Sequence, residues 1–199
     1  MCGGDNADEG DNLRVWDPSR QGYTIYFYWA EDPANPGVGE DDGWYDASGS
    51  DLFDDCPENE DGLEPGYAFW YQSFGSKQPI VTMSGAVPPE DDVEIWIYGG
   101  SYSLIANPFP VNFQPNDSKA INWGKLTGGD NADEGDNIRI WSSERQGYTI
   151  YFYWAEDPSS PGAGEDDGWY DASGSDLFED CEADGIKAGD AFWYQSMDK

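Results

Sequence analysis

Apolar residues in this chain fall in short runs separated by Gly, Pro, Asn and Asp, and no long run follows the 3.6-residue period of an amphipathic helix. The densest run is Tyr23-Thr24-Ile25-Tyr26-Phe27-Tyr28-Trp29. Its aromatic and β-branched residues suit a pleated strand, with Tyr23, Ile25, Phe27 and Trp29 on one face and Thr24, Tyr26 and Tyr28 on the other. Both faces are apolar enough to bury, so the strand is either central between two layers or carries a tyrosine face for binding. Leu13-Arg14-Val15-Trp16 precedes it, and the Asp17–Gly22 stretch between them has turn chemistry, which predicts a β-hairpin. Arg14 and Trp16 share a face, so the guanidinium is expected over the indole. Further strands are predicted at Gly43–Asp46, Tyr67–Tyr71, Pro79–Met83, Val93–Tyr98 and Tyr102–Ala106, and Ser118–Leu126 could hold one helical turn. The expected class is all-β: a short-stranded antiparallel sandwich or small barrel.

The pattern then repeats. Residues 3–56 recur at 128–181 with an offset of 125 and match at 45 of 54 positions. After a divergent stretch the copies meet again at Ala68-Phe69-Trp70-Tyr71-Gln72-Ser73 and Ala191-Phe192-Trp193-Tyr194-Gln195-Ser196. The order is A-B-A: a first A unit at 1–73, a single B unit at 74–126 and a second A unit at 127–199. B with the second A is expected to form the complete module 74–199, leaving the first A as a partial module. The chain is expected to be an excerpt of a longer repeat protein. A duplicated domain-sized unit favours a structural or binding role over catalysis.

Composition narrows the class. The net charge is −32, with 41 acids against nine bases and no His, yet 16% of the residues are aromatic. That aromatic content excludes a disordered acidic tail. The field repels nucleic acid and anionic membranes, and no stretch approaches the roughly 18 apolar residues of a membrane span. Solubility in salty surroundings, divalent-cation binding and mimicry of nucleic acid each account for such acidity. Cys2, Cys56 and Cys181 form no CxxC pair, and three thiols leave at least one without an intrachain partner.

Without His, Ser-His-Asp and Cys-His catalysis are excluded, and no pair of carboxylates stands apart as a glycosidase pair. No catalytic residue is assigned. Ca²⁺ is the candidate cofactor, because glycine-rich loops can gather the oxygens it needs. The first candidate cluster contains Asp5, Asp8 and Asp11, repeated as Asp130, Asp133 and Asp136. The second contains Glu40, Asp41 and Asp42, repeated as Glu165, Asp166 and Asp167. Neither has EF-hand spacing, and a solvated acidic loop is the competing reading. Trp44-Tyr45 and Trp169-Tyr170 lie beside these loops, where they would form a sugar platform or plug the end of the fold. Asn116-Asp117-Ser118 fits a glycosylation sequon.

Ser103-Leu104-Ile105-Ala106-Asn107-Pro108-Phe109-Pro110 resembles the LIGNPYP segment of β-rich modules in secreted bacterial surface proteins, many of them type IX secretion substrates. Ile121-Asn122-Trp123, Ile138-Arg139-Ile140-Trp141, Gly147-Tyr148-Thr149-Ile150-Tyr151 and Ala188-Gly189-Asp190-Ala191-Phe192-Trp193 follow in that family's order. The similarity covers about 100–196; the long acidic insertions depart from it. It implies an extracellular or cell-surface module without known catalytic activity and carries over no functional residues. The expected function is structural or adhesive, through self-association or neighbouring modules of the same protein. A carbohydrate-binding module using Trp44, Tyr45, Trp169 and Tyr170 is the alternative.

Overall fold

The computed structural model describes residues 1–47, 66–75, 92–118, 120–142, 145–172 and 185–197. The chain divides into two compact units, Met1–Ala86 and Val87–Lys199. Nine strands and no helix occur among the described residues. Unit 1 holds β1 (Asn12–Asp17), β2 (Gly22–Trp29), β3 (Gly43–Asp46) and β4 (Phe69–Gln72). Unit 2 holds β5 (Tyr102–Ala106), β6 (Asn137–Ser142), β7 (Gly147–Trp154), β8 (Gly168–Asp171) and β9 (Ala191–Gln195). Each unit has one open antiparallel sheet, ordered β3-β2-β1-β4 and β5-β9-β6-β7-β8. Neither sheet closes into a barrel, because its first and last strands in space do not pair.

The predicted hairpin forms, with Leu13 opposite Tyr26 and Asp17 opposite Gly22. β2 is an interior strand, and Tyr26, Phe27 and Tyr28 are all buried, so its two sticky faces both serve packing. The turn is tied by Asp17, whose carboxylate accepts hydrogen bonds from the backbone N–H (2.8 Å) and hydroxyl (2.6 Å) of Ser19 and from Arg20 Nε (2.5 Å). Gln21 supplies the left-handed residue before Gly22 with φ at 48°. Arg14 does not cover Trp16. It donates to Asn12 Oδ1 at 3.2 Å and to Gln72 Oε1 at 2.6 Å, and Trp16 instead meets the Tyr23 ring edge-on at 4.9 Å. The two acceptors satisfy the guanidinium in its own plane.

In the B region, Tyr102–Ala106 pairs with β9 along its whole length, Tyr102 opposite Gln195 and Ala106 opposite Ala191. Val93–Tyr98 enters no ladder. Its alternate residues are nonetheless half-buried, and Ile95 and Ile97 pack on the core of unit 2. A period of two records which side chains are buried, and an extended segment laid on a core produces it without pairing. The helical turn reduces to one i→i+4 hydrogen bond, Ile121 N–H to Asp117 O at 3.1 Å. The Pro79–Met83 strand, Cys56 and Cys181 lie outside the described residues.

Acid should act on this fold in two opposed ways. The Ser19 hydroxyl, aided by Arg20, outweighs burial and holds Asp17 at about 2, below the ordinary 3.8. Burial raises Asp11, but the Tyr71 hydroxyl and the Cys2 and Phe74 amides together hold it below the same value. Both groups stabilise the fold fully above pH 3.8 and lose that contribution as pH falls below it, Asp17 through about 2. Protonation of carboxylates also relieves the repulsion within a net charge of −32. A melting series from pH 7 to 2 should therefore rise into mildly acid solution and drop below about pH 3. A monotonic rise to pH 2 would show that neither carboxylate is tied as described.

Candidate functional site

The two acidic clusters resolve into anchors and outward-facing carboxylates. In the first, Gly4 and Gly10 sit so close that a Cβ on Gly4 would lie 2.4 Å from Gly10 N, and one on Gly10 would lie 2.5 Å from Tyr28 O. The loop turns back on itself against β2, with Gly4 N–H bonded to Tyr28 O at 3.2 Å. This packing aims Asp11 inward, where it is 0% exposed. Its carboxylate accepts from Tyr71 Oη at 2.7 Å, Cys2 N at 2.8 Å and Phe74 N at 2.8 Å. Asp136, also 0% exposed, repeats the arrangement with Tyr194 Oη at 2.6 Å, Met197 N at 2.6 Å and Thr127 N at 3.1 Å. Asp5, Asp8, Asp130 and Asp133 face solvent.

Asp42 plays the corresponding part in the second cluster. It accepts from Glu31 N at 2.8 Å, Gly37 N at 2.6 Å and Val38 N at 3.2 Å. Asp167 accepts from Glu156 N, Gly162 N and Gly164 N at 2.7–3.1 Å. Backbone amides hold both carboxyls below their ordinary value, the Glu31 amide most for Asp42 and the Glu156 amide most for Asp167. Glu40, Asp41, Glu165 and Asp166 are exposed. Among the described residues no three acidic or Cys side chains converge as a metal cage would require. One carboxylate in each cluster is committed to backbone donors, and its neighbours point to water.

The aromatic candidates separate by copy. Trp169 is 1% exposed, beneath Trp123 at a ring-centre distance of 5.1 Å. It is a core residue and offers no face to a sugar, because the B region supplies an indole that covers it. Trp123 also stacks on Tyr194 at 5.4 Å and 15°, and its Nε1–H reaches Pro115 O at 2.9 Å. Trp44, the counterpart of Trp169, is half-buried. Tyr45 and Tyr170 are half-buried too; their hydroxyls donate to Asp41 O at 3.0 Å and Asp166 O at 2.9 Å.

Sequence reasoning missed Trp123 and Asn116 as organising residues. Asn116 clamps the outer edge of β8: its Oδ1 accepts from Trp169 N at 2.8 Å and its Nδ2 donates to Trp169 O at 3.4 Å. The asparagine of the sequon is thus engaged in the fold. The signal available was the three-residue Ile121-Asn122-Trp123 motif, whose spacing says nothing about which sheet it covers. The B region also borders an open groove of about 760 Å³ in unit 2, lined by Ile95, Ile97, Phe109, Phe113, Trp123 and Tyr194. Trp96, at 81% exposure, stands on the same segment as Ile95 and Ile97.

What the arrangement offers chemically is a set of aromatic faces, sheet edges and solvated carboxylates. No helix among the described residues is long and apolar enough to cross a membrane. Comparison with protein-family models, curated proteins and solved structures found no match.

Proposed function

We propose that this chain is a non-catalytic structural or adhesive β-module of an extracellular bacterial surface protein, working through contacts with modules of its own kind. The observation that carries this reading is that one chain holds the same sheet twice, and in unit 2 that sheet is completed by a separate segment, B. A β-sheet finished by an added strand and an inserted tryptophan is a joint that can be made between modules as readily as within one. The carboxylates that face solvent keep such a surface soluble and suit a salty exterior; Ca²⁺ bound by them would add stability.

The test is homotypic adhesion. Beads densely coated with the chain should clump, because display multiplies weak module contacts, and excess soluble chain should disperse them. Beads that stay apart at every coating density would overturn the reading. A glycan array run beside it measures the carbohydrate alternative, which rests on Trp44, Tyr45 and Tyr170, Trp169 being buried. For Ca²⁺, the melting temperature in millimolar CaCl₂ should exceed that in chelator at matched ionic strength; equal values would remove the ion from the proposal.

A further inference from the structure

In unit 2 the chain joins its sheet and leaves it at one corner. β9 lies between β5 and β6, and Gln195 stands opposite both Tyr102 and Asn137. The first residues of β5 and β6 are therefore level with the last residue of β9. Just past that level the outgoing chain is pinned on both flanks. Ser196 N–H donates to Ser101 O at 3.0 Å on the β5 side, and Met197 N–H donates to the Asp136 carboxylate at 2.6 Å on the β6 side. The same carboxylate takes Thr127 N–H, nine residues before it, and the Tyr194 hydroxyl of β9. Unit 1 repeats the joint, with Asp11 between Cys2 N and Phe74 N at 2.8 Å each. One buried side chain thus ties the way into each A repeat to the way out of it.

Position decides how such a corner meets tension. The hydrogen bonds of an antiparallel ladder run across its strands. A pull that separates Ser101 from Met197 acts along those bonds and loads them one rung at a time. A pull along the strands loads many rungs together. Met197 lies outside the last rung of β9, so the load reaches its bond to Asp136 before it reaches the ladder. On the incoming side Ile95 and Ile97 pack on the core, but Val93–Tyr98 enters no ladder, so tension passes through that segment to the corner. Asp136 is 0% exposed and Tyr194 2%, so water does not compete for the joint while it is closed. A joint sheltered in this way stays shut up to a threshold, then gives way and lets the ladder peel in sequence.

We propose that Asp136 is a tension-operated latch: closed, it keeps load off the β9 ladder, and drawn open, it lets β9 peel from β5 and β6 so that the module lengthens and can reclose. The inference goes beyond the adhesive reading and takes from it only the source of the load, a contact held by a neighbouring module. A module that lengthens before such a contact breaks lets a weak joint survive a sudden pull.

The test is pulling on the full 199-residue chain in optical tweezers, with one handle always at the C-terminus. A short ligation tag set after Gly99 carries the other handle and peels the corner. Set after Gln146 instead, in the β6–β7 turn at the far end of the sheet, it loads β6 and β9 along their length. At fixed force Asp136→Ala should open unit 2 about 30-fold faster in the first geometry, the worth of one hydrogen bond to a charged acceptor. In the second, where ladder bonds share the load, the change should stay under about threefold. Met197→Pro removes only the outgoing N–H and leaves Asp136 paired with Tyr194 and Thr127, so it decides the matter if Asp136→Ala does not fold. It should give about tenfold faster opening in the first geometry and none in the second. Equal acceleration in both geometries would overturn the latch and make Asp136 a stabilising residue alone; no acceleration in the first would overturn it too. A latch found with beads that stay apart would stand without the adhesive reading, and clumping beads with equal acceleration would do the reverse.

Discussion

Asp136→Ala should destabilise unit 2 by about 3–5 kcal/mol, a large share of the stability of a domain this size. The carboxylate is fully buried and takes hydrogen bonds from Tyr194 Oη, Met197 N and Thr127 N. Removing it orphans three donors, each costing roughly 1–3 kcal/mol where water cannot reach, with partial relaxation lowering the sum. Tyr194 at 2% exposure has little access to solvent. Asp11→Ala removes the same partners in unit 1, but there Tyr71 is half-buried and Phe74 exposed, so water can replace the lost acceptor and the cost should be smaller. Urea unfolding followed by hydrogen exchange in each repeat measures the two separately. Equal losses in both units, or a loss below about 1 kcal/mol at Asp136, would show that the carboxylate does not tie the loop to the last strand.

Trp123→Ala should cost unit 2 a further class of energy, about 3–5 kcal/mol of packing, because the indole is a large side chain removed from an ordered aromatic cluster. Trp123 touches Trp169, Tyr194 and Phe192 at ring-centre distances of 5.1, 5.4 and 6.3 Å. Its loss opens Trp169 to solvent, so acrylamide quenching of the remaining tryptophans should rise along with the fall in unfolding midpoint. The fall is read in unit 2, the compact unit to which Trp123 belongs. Unchanged quenching and stability would mean that Trp123 is not the lid of this core.

Local structure was legible in the chain wherever one short stretch decides it. The Tyr23–Trp29 run could be read as a strand because its β-branched and aromatic residues suit nothing else, and Tyr102–Ala106 was legible for the same reason. The Val93–Tyr98 run has the same signature and stays out of the ladders, because alternation reports burial, while pairing depends on which edge lies within reach. The carboxylates were visible as clusters, but not as one anchor among exposed neighbours. That division depends on where backbone amides and the Tyr71 and Tyr194 hydroxyls converge, and those donors lie up to 63 residues away along the chain.

The repeat itself shows most plainly where the boundary falls. From the residues alone came the all-β class, the hairpin, the duplication and the A-B-A order, because each is a matter of local pattern or of self-comparison. Near-identical A sequences give no hint that Trp44 and Trp169 differ in burial, and the expectation that B goes with the second A came from the order of the motifs after Ser103. The tertiary structure alone decided the burial, by pairing β5 with β9 and setting Trp123 on Tyr194. Burial is a property of what arrives to cover a face, and that is set by contacts between segments far apart in the chain.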